Sequence, residues 1–216
     1  MGKRFAELAF TPLVKEQQRL HGSRQSYARV EQWGEPGDRL GPMEQEFVSE
    51  RDGFYMASVT ESGWPYIQFR GGAKGFLRVL DERTLGFADL RGNKQYITTG
   101  NLEHDDRVAL FLMDYPNQSR LKILGHAEVH EGDAEASRLM ETLRVAEEKT
   151  PAERTVVIHV EAFDWNCPQH ITPRYTREEL EPMLEPMRER LEALEAENKR
   201  LRGSGDSKKT RSLANS

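Results

Sequence analysis

WPYIQFRGG (64–72), FADLRGNKQYITTGNL (87–102), DRVALFLMD (106–114) and RLKILG (120–125) follow one another within 216 residues, and their order decides the fold. Gln68 and Arg70 stand two residues apart, so a strand places them on one face. A second strand ends at Ala88-Asp89-Leu90. Arg91-Gly92-Asn93-Lys94 then leads into a short helix over Lys94–Asn101. On the last strand Arg120 and Lys122 share one face, and Leu121 and Ile123 take the other. Cations on neighbouring strands beside a helix N-terminus make a pocket for a phosphate-bearing ligand. The helix supplies orphan N–H groups and its dipole, and Lys and Arg supply countercharge. Gly71 and Gly72 would let backbone approach a ligand closely, or simply form a bulge.

This succession resembles the flavin-binding half of the pyridoxamine 5′-phosphate oxidase-like split-barrel proteins. The resemblance covers roughly residues 45 to 175 and rests on the order of several weak motifs. It implies FMN as cofactor and a homodimer with the flavin at the subunit interface. By position it carries Gln68 and Arg70 over to the flavin site, sets Ala88 and Asp89 near the ring, and gives Asn93, Lys94 and Arg120 to the phosphate side. Arg91 is an extra cation ahead of the turn. The Trp-Gly-Gly and Arg-Leu-His-Asp-Arg runs of true pyridoxamine 5′-phosphate oxidases do not occur here, so the substrate is open. A deazaflavin or haem in the same fold, and a sensor or interaction module without turnover, are the alternatives.

The composition fits a globular, cytoplasmic protein. A net charge of −5 argues against a nucleic-acid surface, and no apolar run is long enough for a membrane span. The N-terminus lacks the apolar core of a signal peptide. Cys167 is the single cysteine, which suits a reducing compartment.

Periodicity predicts a helix over 3–20, a Gly- and Pro-rich loop through Trp33–Gly37, and a helix after Pro42. Alternation then predicts strands Phe54–Thr60, Pro65–Arg70, Phe76–Leu80, Thr84–Asp89, Arg107–Met113, Arg120–His130 and Thr155–Trp165, with a helix over Asp133–Lys149. Six or seven antiparallel strands with few helices read as a split β-barrel. The domain plan is a helix and loop over 1–44, the barrel over 45–176, a C-terminal helix over 177–202 and a disordered polar tail over 203–216.

In FDWNCPQHITPRYT (163–176), Cys167 and His170 stand at Cys-x-x-His spacing, but no second pair follows, so no metal site is expected. The resemblance instead implies a strap over the partner's flavin, with Trp165 covering the ring and Gln169, His170 and Arg174 at its edge. The alternative is a strap whose Trp165 packs on its own barrel. Further on, Leu180, Met187, Leu194 and Leu201 alternate with Leu184, Leu191 and Asn198 at spacings of four and three, a heptad seam. That helix is either a coiled coil or laid on its own barrel.

Overall fold

A computed structural model describes residues 1–165 and 169–213, with backbone alone from residue 202 onward. The chain forms two units, 1–172 and 173–216. In the first, α1 (Lys3–Ala9), α2 (Pro12–Leu20), α3 (Arg24–Trp33) and α4 (Pro42–Ser49) precede β1 (Gly53–Val59), β2 (Pro65–Gly71), β3 (Arg78–Asp81) and β4 (Thr84–Leu90). There follow α5 (Ile97–His104), β5 (Arg107–Asp114), β6 (Ser119–His130), α6 (Ala134–Leu143) and β7 (Ala152–Trp165). The second unit contains α7 (Arg177–Leu213). No helix among the described residues is long and apolar enough to cross a membrane.

The seven strands form one antiparallel sheet in the order β2-β1-β5-β6-β7-β4-β3, a split barrel. Alternation along β1, β5 and β6 turns Phe54, Met56, Leu110, Leu112, Leu121 and Ile123 into the core, where Leu85, Phe87 and Ile158 meet them. Each such side chain contributes about 1.5–3 kcal/mol by leaving water. Gly125 sits at a register shift between β6 and β7. A Cβ there would stand 2.4 Å from the His159 carbonyl oxygen, so only glycine lets the two strands close at this point.

Several boundaries differ from expectation, each for a local reason. The helix predicted over 3–20 is broken at Phe10–Thr11, because Thr11 caps a new helix with Pro12 in its first turn. Part of the polar loop expected between the first helix and Gly37 instead forms α3, which buries no residue fully and is held by Lys15 pairing with Glu31 and by Phe10 meeting Tyr27 edge-on. The helix predicted from Lys94 starts at Ile97, since Lys94 (φ 61°) and Tyr96 (φ 54°) are left-handed. The helix predicted over Asp133–Lys149 stops at Leu143. Helix α7 runs to Leu213, past Arg202, where the polar tail was expected to begin.

Candidate functional site

Alternation on β2 points Tyr66, Gln68 and Arg70 inward while Ile67 and Phe69 face out. Across the barrel, β4 and β7 pair so that Asp89 stands opposite Arg154. Between them lies the turn 91–96 and the start of α5. These elements enclose a polar cleft lined by Gln68, Arg70, Asp89, Asn93, Lys94 and Arg154, with Tyr66, Tyr96 and Thr98 around them.

Two arginines dominate the cleft. Arg70 Nη1 donates to Asp89 Oδ1 at 2.6 Å. Arg154 is only 5% exposed. Its Nη1 donates to Thr99 Oγ1 at 3.1 Å and its Nη2 to Glu153 Oε2 at 3.1 Å. Arg154 Nε lies 3.3 Å from Glu131 and 3.9 Å from Asp89 Oδ2. The guanidinium sits 4.9 Å from the centre of the Tyr96 ring. Among the described residues the Nε–H groups of Arg70, Arg120 and Arg154 are buried without a hydrogen-bond acceptor, and Arg70 and Arg154 line this cleft. Buried donors of this kind are costly, so they mark a place built for an acceptor.

The wall opposite is hydrogen-bonded into position. Tyr66 Oη and Thr98 Oγ1 each lie 3.3 Å from Gln68 Oε1, and Asn101 Nδ2 donates to Ser58 Oγ at 2.9 Å, tying α5 to β1. Gln95 N donates to Asn93 Oδ1, closing the turn that carries Lys94. Burial is the largest influence on Asp89 and holds its carboxyl above the usual carboxylate range, against the opposing pull of Arg70 and Arg154. The cavity measures about 50 Å³. That takes a phosphate-sized anion and falls well short of the roughly 300 Å³ at which pockets enclose a whole small molecule.

The structure therefore gathers five of the predicted residues: Gln68, Arg70, Asp89, Asn93 and Lys94. The others lie elsewhere. Arg91 stands beside the cleft and pairs with Glu153 at 3.0 Å. Lys122 is engaged by Asp164 at 2.9 Å and lies 4.5 Å from the Phe5 ring centre, so its charge is taken up under α1. Arg120 shares that strand face but sits over Phe111, 5.8 Å from the ring centre. Gly71 and Gly72 serve packing: a Cβ on either would meet the Phe69 or Phe76 ring at 2.8 Å. Ala88 lines a separate cavity beside α6, with Leu90 and Val145.

Trp165 donates its indole N–H to Glu44 Oε1 at 2.7 Å and meets Phe47 edge-on at 4.8 Å, so it packs on its own barrel. Gln169 and His170 are exposed, with His170 left-handed, and Arg174 belongs to the second unit. Cys167 lies outside the described residues.

Arg154, Tyr96 and Thr98 were missed in the sequence. The one available signal was a charged residue opening an otherwise apolar strand, ERTVVIHV, and it becomes legible only when the register sets Arg154 opposite Asp89.

The sequence profile of the family described as pyridoxamine 5′-phosphate oxidase matches residues 41–166. Among solved structures, a candidate pyridoxamine 5′-phosphate oxidase from Lactobacillus delbrueckii is 25% identical, covering 59% of this chain and 94% of that one at a TM-score of 0.46. HupZ of Group A Streptococcus is 17% identical over 63% and 100% of the two chains, at 0.47. HutZ, the haem storage protein of Vibrio cholerae, is 18% identical over 58% and 94%, at 0.44. No curated protein matches the chain.

Proposed function

The chain belongs to the pyridoxamine 5′-phosphate oxidase family, and from that premise we propose that it is an FMN-binding flavoprotein serving redox chemistry on a small-molecule substrate. One observation carries the reading: two buried arginine Nε–H groups without acceptors lie in the cleft at the start of α5. That arrangement, with the positive charge of the two guanidinium groups beside it, fits the FMN phosphate, which brings several strong acceptor oxygens. Lys94 would add a third cation, and Gln68 and Thr98 would meet the ribityl hydroxyls. Bound FMN would supply hydride or electron transfer, while the protein fixes the phosphate and the ring.

A cleft of about 50 Å³ holds a phosphate and leaves the tricyclic ring to be covered by other surface. We assign that cover to a second copy of the chain. The outer face of β1 and β2 supports the assignment: Ile67 is 63% exposed and Phe69 57%, with Tyr55 edge-on to Phe69 at 5.5 Å and Trp64 exposed at the hairpin. A contiguous apolar patch of this kind marks an interaction site. The barrel dimer is expected to persist when residues 177–216 are deleted. Light scattering of the shortened protein checks this, and a folded monomer would remove the barrel interface.

The absorbance spectrum of the purified protein, with mass analysis of the released ligand, tests the cofactor. Bands near ~370 and ~450 nm indicate oxidised flavin, and a Soret band indicates haem. Lys94→Gln, which removes the charge and shortens the side chain by one atom, is expected to weaken FMN binding by roughly 10- to 150-fold, the worth of a hydrogen bond to a charged group. Fluorescence titration measures it, and unchanged affinity would take Lys94 out of the site.

A further inference from the structure

Helix α7 carries a seam whose lettering follows from its spacing. Steps of three run from Leu184 to Met187, Leu191 to Leu194 and Asn198 to Leu201, which makes Leu184, Leu191 and Asn198 the a positions and Leu180, Met187, Leu194 and Leu201 the d positions. Met187 is 68% exposed and Leu191 57%, and Leu184 and Leu194 are also exposed. We propose that this seam is the docking surface for α7 of a second copy, in a parallel two-stranded coiled coil.

Three features choose that occupant and that direction. In parallel helices each g side chain meets the e side chain five residues further along its partner. Here Arg190 at g meets the partner's Glu195, a pairing that joins opposite charges. Asn198 then stacks on the partner's Asn198, and each amide finds a matching donor and acceptor. The antiparallel alternative keeps an acidic–basic pairing of Arg188 with the partner's Glu195. It also sets Arg190 beside the partner's Arg190 and leaves Asn198 against the partner's Leu184, an amide without a partner.

The prolines respect the same geometry. Pro182 and Pro186 fall at f and c, on the outer side of the pair, where the carbonyls they leave unpaired meet water. The seam spans residues 180–201. At about 1.5 Å per residue the two ends lie roughly 30 Å apart, so direction is easily read by cross-linking.

The test uses the full chain with Cys167→Ser, so that any disulfide comes from an introduced cysteine. Leu201→Cys is expected to give a disulfide-linked dimer on mild oxidation about tenfold faster than Glu192→Cys, which lies at the outer b position, since disulfide geometry demands close Cβ atoms. Arg190→Glu should slow the Leu201→Cys link several-fold by opposing the partner's Glu195, and Arg190→Glu with Glu195→Arg should restore it. These surface charges leave the barrel untouched, so loss and rescue report the pairing itself. A Leu201→Cys link no faster than the Glu192→Cys link overturns the proposal. So does a mixture of Leu201→Cys and Leu180→Cys chains that joins 201 to 180.

Discussion

Replacing Arg154 by leucine is expected to cost the fold about 3–5 kcal/mol, the range for removing one partner of a buried charge cluster. Arg154 is 5% exposed and serves Asp89, Glu153 and Thr99 at once. Glu131 is more than half exposed, so water takes over much of that contact and its share is small. Asp89 and Glu153 have side chains 14% and 19% exposed and keep little of that relief. Without Arg154, Asp89 retains only Arg70, and its charged form is disfavoured further. Leucine would also lose the stacking on Tyr96, which holds the turn carrying Lys94. Urea denaturation at neutral pH gives the number. A loss below about 1 kcal/mol would mean that the cluster behaves like a surface ion pair. Arg154→Lys keeps the charge and loses the fork, so it should fall between the two.

The barrel was legible because its signals are local. The alternation of β1, β2, β5 and β6 survives in the structure almost residue for residue, and it puts Gln68 and Arg70 on one inward face as expected. Asn93 and Lys94 follow from their place between a strand and a helix. What the sequence hid are pairings across long separations. Lys122 read as a free cation on a strand face, yet Phe5 and Asp164 come to it from 117 residues before and 42 after. Trp165 read either as cover for a flavin or as packing on its own barrel, and what decides for the barrel is Glu44 on α4, 121 residues earlier, which takes its N–H. Arg154 could not be placed until the register of β4 on β7 was known. Helix α3 escaped notice because its apolar side is only Tyr27, Val30 and Trp33 in an otherwise polar stretch, and it buries no residue fully.

Asp89→Asn is expected to raise the affinity of the cleft for a dianion about tenfold, or roughly 1.4 kcal/mol. Asp89 is an internal anion within reach of Arg70 and Arg154, so an incoming phosphate competes with it for the same two guanidinium groups. Asparagine ends that competition. Asparagine also removes the penalty of the buried charge, so at neutral pH the variant should melt no lower than the wild type in plain buffer, and it should gain more from added anion. The pH dependence separates this account from simple loss of a contact. Burial raises the Asp89 pKa in the folded protein, so the folded state holds its proton to higher pH than the unfolded chain does. The penalty of the buried charge therefore grows as pH rises above the ordinary carboxylate range through the folded value, and falling pH relieves it. A protonated Asp89 releases the arginines, so wild-type anion binding should strengthen as pH drops through that window, and Asp89→Asn should lack this dependence. Inorganic sulfate is the right probe, because it stays a dianion where a phosphate ester titrates near ~6. Thermal shift against sulfate concentration at several pH values measures both effects. Weaker sulfate binding in Asp89→Asn would show instead that the carboxylate holds the two arginines in place for the ligand.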